Sequence, residues 1–273
     1  MSRQPSQATD TGSNAAQTSA DGELILSTRG LTKRFGQFAA VDDVDLDVRR
    51  GEFRSIIGPN GAGKTTLFNL LSGALPATEG SVEFNGEDVT SLSPAERVRR
   101  GVGRSFQISN VFGGLTVREN VRLAAQAVHD DYGFLESLFT PTDRFGTMND
   151  RTDRVLEQIQ LESVADVKAD ALAYGDRRRL EIGVVLATDP EIVLFDEPTA
   201  GMSVEETRAT IDLIEEVLEE QTLLLIEHDI ELVMTLSDRI TVLNRGEILA
   251  EGPPDAIAAN ETVQEAYLGG MVE

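Results

Sequence analysis

The sequence has no cysteine among its 273 residues, so neither a disulfide framework nor a thiolate metal site can form. Histidine is almost absent as well. His129 and His228 are the only two, and a histidine-based metal cluster is therefore not expected. Long apolar runs are also missing, since the run at residues 223–226 is far shorter than the ~20 residues of a membrane helix. The N-terminus lacks a basic start followed by an apolar stretch, so no secretory signal is expected.

Basic charge is scarce. The 24 basic residues face 47 acidic ones, the net charge is −23, and Lys33, Lys64 and Lys168 are the only lysines. A nucleic-acid-binding protein needs a basic face for phosphates, so the charge argues against that class. An acidic, lysine-poor surface suits a cytoplasm with molar salt, where screening is nearly complete beyond ~3 Å, and this favours a halophilic source. A moderately acidic surface without special meaning is the alternative.

Short β-rich runs alternate with amphipathic helical patterns, which predicts an α/β fold with a mostly parallel sheet and crossover helices. Residues 1–21, rich in Ser, Gln, Thr, Ala and Asp, are predicted to be a disordered arm. Residues 116–186 have a mainly helical pattern, which a polar stretch near 140–149 is expected to interrupt. Strand patterns occupy residues 23–35, 41–57, 81–85, 192–195, 223–226 and 240–243, with a turn at Asn85-Gly86. A short helical tail follows Gly252-Pro253-Pro254.

A glycine-rich motif matches the phosphate-binding loop, G-x-x-x-x-G-K-[ST]. Its glycines let backbone N–H groups turn toward phosphates, and the helix expected from near Gly63 points its positive end at them. Lys64 can reach the β- and γ-phosphates, and the Thr65 hydroxyl can hold Mg²⁺. The strand before the motif and the helix after it disfavour a chance turn. The predicted nucleotide-binding residues are Gly58, Pro59, Asn60, Gly61, Ala62, Gly63, Lys64, Thr65 and Thr66.

Two adjacent acids, Asp196 and Glu197, end the apolar run at residues 192–195. Because side chains alternate along a strand, the two acids can serve two tasks: Asp196 facing Mg²⁺ and Glu197 facing the attacking water. Phosphoryl transfer needs mainly positioning and charge stabilisation, so an ordered carboxylate is a suitable catalytic group. Such a pair alone is more often a solvated loop, but the phosphate loop in the same chain favours the catalytic interpretation.

Three further segments complete an ordered series. Gln107 follows a strand expected at residues 103–106, residues 172–176 open a helix, and His228 follows a third apolar strand. Together with the phosphate loop and the two acids, they resemble the ABC ATPases over residues 22–252: phosphate loop, Q-loop, signature, Walker B strand, D-loop and switch histidine. The resemblance implies a P-loop cassette with a RecA-like core and an antiparallel β-subdomain. It also implies a helical subdomain at about 108–178 and a separate tail at 253–273.

The resemblance also implies roles for single residues. Phe35 would stack on adenine, although alone it would be ordinary core. Gln107 would touch Mg²⁺ or the water and link the site to the helical subdomain. His228 would polarise the γ-phosphate and hold the closed state, whereas an isolated histidine is usually structural. The catalytic set is Glu197, His228 and Gln107, the Mg²⁺ set is Thr65, Gln107 and Asp196, and the signature set that contacts ATP is Ala173, Tyr174, Gly175 and Asp176.

Two motifs depart from the family's pattern. Ala173 and Tyr174 replace the serine and the first glycine of the common signature Leu-Ser-Gly-Gly-Gln, so backbone N–H groups near Gly175 and the helix dipole must contact the γ-phosphate. The lost hydrogen bond corresponds to ~1.5–3 kcal/mol. Asp176 adds negative charge there, unless it is simply an N-cap. In the D-loop, Ser203 stands where Asp is usual.

Subtype follows from the same resemblance. The signature with residues 178–182, the segments 225–229 and 266–269, and a polar insertion at 130–150 look like the ATP-binding subunits of branched-chain, or hydrophobic, amino acid importers. Such subunits bind ATP and Mg²⁺ and lie at the cytoplasmic face of the membrane. They pair two related ATPases, expected here to differ although a homodimer is possible, with two permease subunits and an extracellular substrate-binding protein. Residues 105–125 should receive a permease helix.

Other classes fit less well. Residues 200–203 look a little like those of urea and short-chain amide importers, which stay an alternative. A soluble ABC ATPase of DNA repair or translation would carry coiled coils, zinc hooks or two fused cassettes. A non-hydrolysing cassette usually loses the acid or the histidine, whereas Glu197 and His228 are present. An exporter is disfavoured because no membrane segment is fused and the signature resembles that of an importer.

Overall fold

The computed structural model describes residues 22–105, 111–128, 146–219 and 221–268. The expectations for residues 1–21, for Gln107 and for most of the 130–150 insertion lie outside these residues.

The elements fall into strands, helices and short helical turns. The strands are β1 (Leu24–Phe35), β2 (Phe38–Arg49), β3 (Phe53–Ile57), β4 (Glu79–Phe84), β5 (Glu87–Asp88), β6 (Val102–Arg104), β7 (Ile192–Asp196), β8 (Thr222–Ile226), β9 (Arg239–Asn244) and β10 (Glu247–Gly252). The helices are α1 (Lys64–Leu71), α2 (Pro94–Val98), α3 (Val117–Val128), α4 (Gly146–Gln158), α5 (Tyr174–Leu186), α6 (Val204–Val217), α7 (Ile230–Leu236), α8 (Pro254–Ala258) and α9 (Glu261–Val263). Short turns of helix cover Glu162–Val164, Ala169–Ala171 and Gln264–Leu268.

A four-stranded antiparallel sheet, in the order β2-β1-β4-β5, forms the N-terminal part of the fold. Its β4–β5 turn consists of Asn85 and Gly86, with φ of 49° and 76°. Two consecutive residues with positive φ match the right-handed twist of a two-residue hairpin, and the predicted turn is therefore confirmed.

The second sheet has the order β10-β9-β3-β8-β7-β6. Its strands β9, β3, β8, β7 and β6 run parallel, and only the pairing of β10 with β9 is antiparallel. The mostly parallel sheet predicted from the sequence is thus confirmed. Because the carboxyl ends of parallel strands share one edge, the loops after β3, β7 and β8 meet there. These loops carry Gly58, Glu197 and Glu227.

Residues of β7 divide the core into two layers. Ile192 and Leu194 pack with the antiparallel sheet and α1, whereas Val193 and Phe195 pack with helices α3 to α6. This period of two is the alternation of a strand buried on both faces, which explains its continuous apolar sequence. No helix in the described part of the chain combines the length and apolar character that crossing a membrane requires.

Some predicted boundaries were wrong. The polar stretch expected to interrupt the helices near residues 140–149 is helical from Gly146 onward, as the start of α4. The strand expected at 103–106 is β6, which starts one residue earlier and ends at Arg104. Both errors arise because terminal residues are fixed by tertiary packing rather than by local pattern. The division into an arm, a cassette, an inserted subdomain and a tail stays a prediction.

Candidate functional site

The phosphate loop connects β3 to α1 under close steric constraint. A Cβ atom at Gly58 would collide with the carbonyl oxygen of Leu243, and one at Gly63 would collide with that of Ala40. Gly63 also has a φ of 103°, which side chains disfavour. The two glycines of the motif are thus required by neighbouring strands as well as by the turn.

Lys64 is folded back over the loop. Its Nζ donates hydrogen bonds to the carbonyl oxygens of Gly58 at 2.7 Å and Pro59 at 3.3 Å. Burial lowers the pKa of this ammonium group, whereas the carboxylates of Glu197 and Asp196 favour its charged form. Phosphate oxygens would add negative charge and favour the ammonium further. Lys64, Asp196 and Glu197 therefore share one electrostatic neighbourhood.

The first turn of α1 offers backbone donors to an anion. Its opening N–H groups have no acceptor within the helix, and its N-cap, Gly63, provides no side-chain cap. Thr65 lies in this turn and is exposed. Free N–H groups and the positive end of the helix dipole make this position suited to phosphate.

Asp196 is buried beside Arg104. Its Oδ2 lies 3.6 Å from an Arg104 guanidinium nitrogen, and that guanidinium also donates to Asn69 Oδ1 and Ser72 Oγ, both at 2.7 Å. Burial raises the pKa of Asp196, and the charge of Arg104 counteracts this. The sequence patterns did not predict a role for Arg104. The available signal was an arginine inside a short buried strand just before Gln107.

Glu197 and His228 form a pair at the sheet edge. His228 Nε2 lies 2.7 Å from Glu197 Oε1, a hydrogen bond that an ionised carboxylate accepts from the Nε2–H tautomer of the imidazole. The expected reason for the separate roles of Asp196 and Glu197 was wrong. The strand ends at Asp196, and Glu197 has a left-handed backbone conformation with a φ of 51°. The two side chains therefore point in different directions because the backbone turns at Glu197, and not because side chains alternate along a strand.

The oxygen atoms present fit Mg²⁺. Asp196 Oδ1 is buried and has no hydrogen-bond partner among the described residues, which leaves it available as a ligand. Within the same residues, no group of three or more His, Cys, Asp or Glu side chains could hold a metal ion. Mg²⁺ prefers one or two protein oxygens completed by phosphate and water, and Asp196 with the Thr65 hydroxyl supplies that number. The third predicted ligand, Gln107, lies outside the described residues.

The aromatic residue predicted to meet adenine ends β1. Phe35 is 52% exposed, so the alternative of ordinary core is wrong for it, and Phe38, 63% exposed, pairs with it across the hairpin. Lys33 Nζ lies 5.4 Å from the centre of the Phe35 ring. Two residues beyond Phe38, the carbonyl of Ala40 approaches Gly63, which places this end of the hairpin beside the phosphate loop.

The signature residues lie at the start of α5. Ala173 is its N-cap without a side-chain cap, and Tyr174 is 56% exposed. Asp176 lies within the first turn, so its interpretation as an N-cap was wrong. Tyr174 lines a cavity of about 260 Å³ together with Glu197. Ser203, the D-loop departure, caps α6 with a complete capping box: it accepts from Glu206 N, and its own N–H donates to the Glu206 carboxylate.

Comparison with protein families gives two matches. A family described as ABC transporter matches residues 41–200, and one described as branched-chain amino acid ATP-binding cassette transporter matches residues 247–273. BraF of Pseudomonas aeruginosa, a high-affinity branched-chain amino acid transport ATP-binding protein, is 43% identical, covering 90% of this chain and 98% of BraF. LivG of Escherichia coli K12, which carries the same description, is 44% identical with the same coverage.

Solved structures agree in fold. The crystal structure of the ADP conformation of MJ1267, an ATP-binding cassette of an ABC transporter, matches with a TM-score of 0.77 and 34% identity, covering 90% of this chain and 99% of that one. A dimeric post-hydrolysis state of the cassette MJ0796 bound to ADP and Pi matches with a TM-score of 0.69 and 26% identity, covering 84% and 99%. The predicted cassette fold is confirmed.

Proposed function

The chain belongs to the ABC transporter family, and from that membership we propose that it is the ATP-hydrolysing subunit of an importer of branched-chain amino acids. The observation that carries hydrolysis is the Glu197–His228 pair, held at 2.7 Å in the electrostatic neighbourhood of Lys64. A regulatory cassette that does not hydrolyse ATP usually lacks the acid or the histidine, whereas Glu197 and His228 are both present and in contact here.

Each residue of the site has a task in this proposal. Lys64 exchanges its bonds to the loop carbonyls for the β- and γ-phosphates, and the first turn of α1 binds them through backbone N–H groups. Glu197 orients the attacking water, and His228, whose Nε2 carries a proton, donates to a γ-phosphate oxygen. When bound by Asp196 and Thr65, Mg²⁺ neutralises phosphate charge. Phe35 stacks on adenine.

ATP turnover by the purified chain tests this proposal. We expect Glu197→Gln to bind ATP with affinity close to that of the unmodified chain and to lower kcat by about 10²–10⁴-fold, the usual contribution of a positioned acid–base group. The exposed Glu216 in α6 supplies a matched control, and Glu216→Gln should turn over normally. Near-normal turnover of Glu197→Gln would remove Glu197 from the catalytic role.

Two such subunits close head to tail around ATP in this proposal. The exposed start of α5, with Ala173, Tyr174, Gly175 and Asp176, would contact the nucleotide held on the phosphate loop of its partner. The dimeric relative bound to ADP and Pi supports this arrangement. The partner is a second, different ATPase or another copy of this chain. Size exclusion of Glu197→Gln in molar KCl, with and without ATP, distinguishes a self-sufficient dimer from one that needs another subunit.

The transported substrate is proposed from the relatives. BraF and LivG are both described as branched-chain amino acid transport proteins, and residues 247–273 match a family with that description. Uptake of labelled leucine, isoleucine and valine should stop in cells that carry only Lys64→Met and continue in cells with the unmodified chain. Lost urea uptake with normal leucine uptake would instead favour the urea importers.

Contact with the permease, at the cytoplasmic face, is proposed for the start of the helical region. Phe112 is 59% exposed and Leu123 41% exposed. An apolar cavity of about 160 Å³, lined by Val111, Val184 and Val185 among others, lies beside β6. We expect Phe112→Asp to keep ATP turnover of the isolated chain but to lose co-purification with the permease subunits. Retained co-purification would move the contact elsewhere.

A halophilic source is proposed from the charge of −23 and the three lysines. Carboxylates in excess repel one another, and molar salt screens that repulsion. The thermal midpoint should therefore rise steeply between dilute buffer and molar KCl. A chain that stays equally stable in dilute buffer would contradict a halophilic source.

A further inference from the structure

Glu227 is a buried acid that lies behind the catalytic pair. It follows β8 directly, is 4% exposed, and precedes His228 in the chain. No Lys, Arg or His side chain in the described ranges forms an ion pair with it. Hydrogen-bond donors stabilise the carboxylate instead. A buried carboxylate without a cation is stable only when such donors surround it.

Three donors reach this carboxylate from two loops. Thr199 donates to Oε1 through its backbone N at 3.2 Å and through its Oγ1 at 2.6 Å, and His228 N donates to Oε2 at 3.1 Å. Thr199 is 8% exposed, so its bonds are shielded from water. Each oxygen therefore holds a different loop: Oε1 the loop after β7, and Oε2 the loop after β8.

These two loops carry the two members of the catalytic pair. Glu197 lies two residues before Thr199 and adopts a left-handed φ of 51°, a conformation that persists only when surrounding bonds enforce it. The N–H of Glu197 donates to Ile226 O at 3.0 Å, just before Glu227. Removing the Glu227 carboxylate would take away its bonds to Thr199, so that this backbone bond and the pairing of β7 with β8 would have to position the loops.

We propose that Glu227 is a positioning residue for ATP hydrolysis: its carboxylate joins the loops after β7 and β8 and thereby sets the contact of Glu197 with His228. The inference rests on the proposed ATPase function and extends it to a residue that does not touch the nucleotide. Nucleotide binding, which depends on residues 58–66, should not depend on Glu227.

Glu227→Gln tests the inference with little change in volume. An amide keeps one acceptor and presents N–H donors on its other side, so it can hold only one loop as the carboxylate does. We expect kcat to fall about tenfold to a hundredfold, as for a lost hydrogen bond to a charged group, while KM for ATP stays within about twofold. Glu52→Gln is the matched control. Glu52 is also buried, and it directly precedes β3, at the end of that strand away from the phosphate loop. This substitution should lower stability and leave kcat of the folded protein unchanged.

Thr199 provides an independent arm. Thr199→Val replaces the hydroxyl with a methyl group and should lower kcat about threefold to tenfold. Thr199→Ser keeps the hydroxyl, so its kcat should stay close to that of the unmodified chain. Glu227→Gln with Thr199→Val should be little worse than Glu227→Gln alone, because both changes break the same link. Additive effects, or a kcat fall no larger than that of Glu52→Gln, would overturn the inference.

A spectroscopic measurement separates this inference from hydrolysis itself. With only two histidines in the chain, the imidazole ¹⁵N signals of His228 can be followed with His129 as an internal reference. Glu227→Gln should shift the His228 signals and leave those of His129 in place, whereas unchanged His228 signals would overturn the inference. An unmodified chain without ATP turnover would refute the proposed function, whereas normal turnover of Glu227→Gln alone would refute only this inference.

Discussion

The two halves of the proposed nucleotide site are built differently within one chain. The phosphate-loop half, comprising residues 58–66, Asp196, Glu197 and His228, is held by bonds from several elements. The signature half, residues 173–176, lies at an exposed helix start, and in the described part of the chain neither Tyr174 nor Asp176 forms a side-chain hydrogen bond. The first half makes its described contacts within the chain, whereas the second presents polar groups that a partner could bind.

This difference predicts which substitutions alter the isolated chain and which alter the dimer. A change in the phosphate-loop half should alter ATP binding, turnover or stability, because the contacts of this half are intramolecular. A change in the signature half should leave ATP binding to the isolated chain unaltered and should act when two subunits close. The substitutions at Ala173 and Ser203 are measured both in the isolated chain and in the dimer, so that a mixed result would break the comparison.

The largest effect on ATP binding is expected for Lys64→Met. Methionine keeps the length of the side chain but removes the ammonium that bonds Gly58 O and would bond phosphate. Losing charge-assisted bonds should weaken ATP binding about tenfold to a hundredfold, measured by titration of the isolated chain. Lys168 is exposed, and Lys168→Met should bind ATP normally. Unchanged ATP affinity in Lys64→Met would mean that the loop backbone alone holds the nucleotide.

The largest effect on stability is expected at Arg97. It is 2% exposed, and its guanidinium donates to Leu70 O at 2.8 Å, Leu71 O at 2.6 Å and Thr90 O at 2.9 Å, which closes the end of α1. Burial lowers the pKa of Arg97 to about 10. Arg97→Met removes these side-chain donors, leaves Leu70 O with the backbone N–H of Gly73 at 3.2 Å, and should cost about 2–4 kcal/mol.

The measurement is thermal unfolding of Arg97→Met beside Arg99→Met, whose side chain is exposed and whose midpoint should hardly move. A midpoint lower by about 5–10 °C is expected for a chain of this size. If both variants unfold alike, the end of α1 is held by other contacts.

Sequence patterns predicted the parts of the site that depend on short-range spacing. The loop at residues 58–66, the acids after β7 and the histidine after β8 could be found because each follows an apolar strand, and parallel strands bring such ends together. The buried Arg97 could not be found, because its partner Leu70 O is a backbone oxygen distant in the chain. Arg104 has a distant partner too, Asn69 Oδ1, and its only signal in the sequence is its place in a short buried strand before Gln107. The left-handed turn at Glu197 depends on its neighbours, and no local pattern encodes it.

Ala173→Ser tests the signature half directly. A serine at this N-cap can accept from an N–H of the first turn of α5, or donate to a γ-phosphate on the partner. In the Glu197→Gln background, we expect the ATP-dependent dimer to tighten about tenfold while ATP affinity of the isolated chain is unchanged. Ala258→Ser, on the exposed side of α8, is the control. A more stable chain with an unchanged dimer would show that the serine only caps the helix.

Ser203→Ala should have the smallest effect and tests the boundary between the halves. Ser203 is occupied by its capping box, with its N–H donating to Glu206 Oε2 at 2.9 Å and its Oγ accepting from Glu206 N at 3.3 Å. Loss of the cap should lower stability by about 1 kcal/mol without changing the ATP-dependent dimer, whereas Ser203→Thr should retain the cap. A looser dimer in Ser203→Ala would mean that the D-loop side chain crosses to the partner. The exposed half of the site would then extend from α5 to the start of α6, and the capping box would be a resting arrangement that closure exchanges for an intersubunit contact.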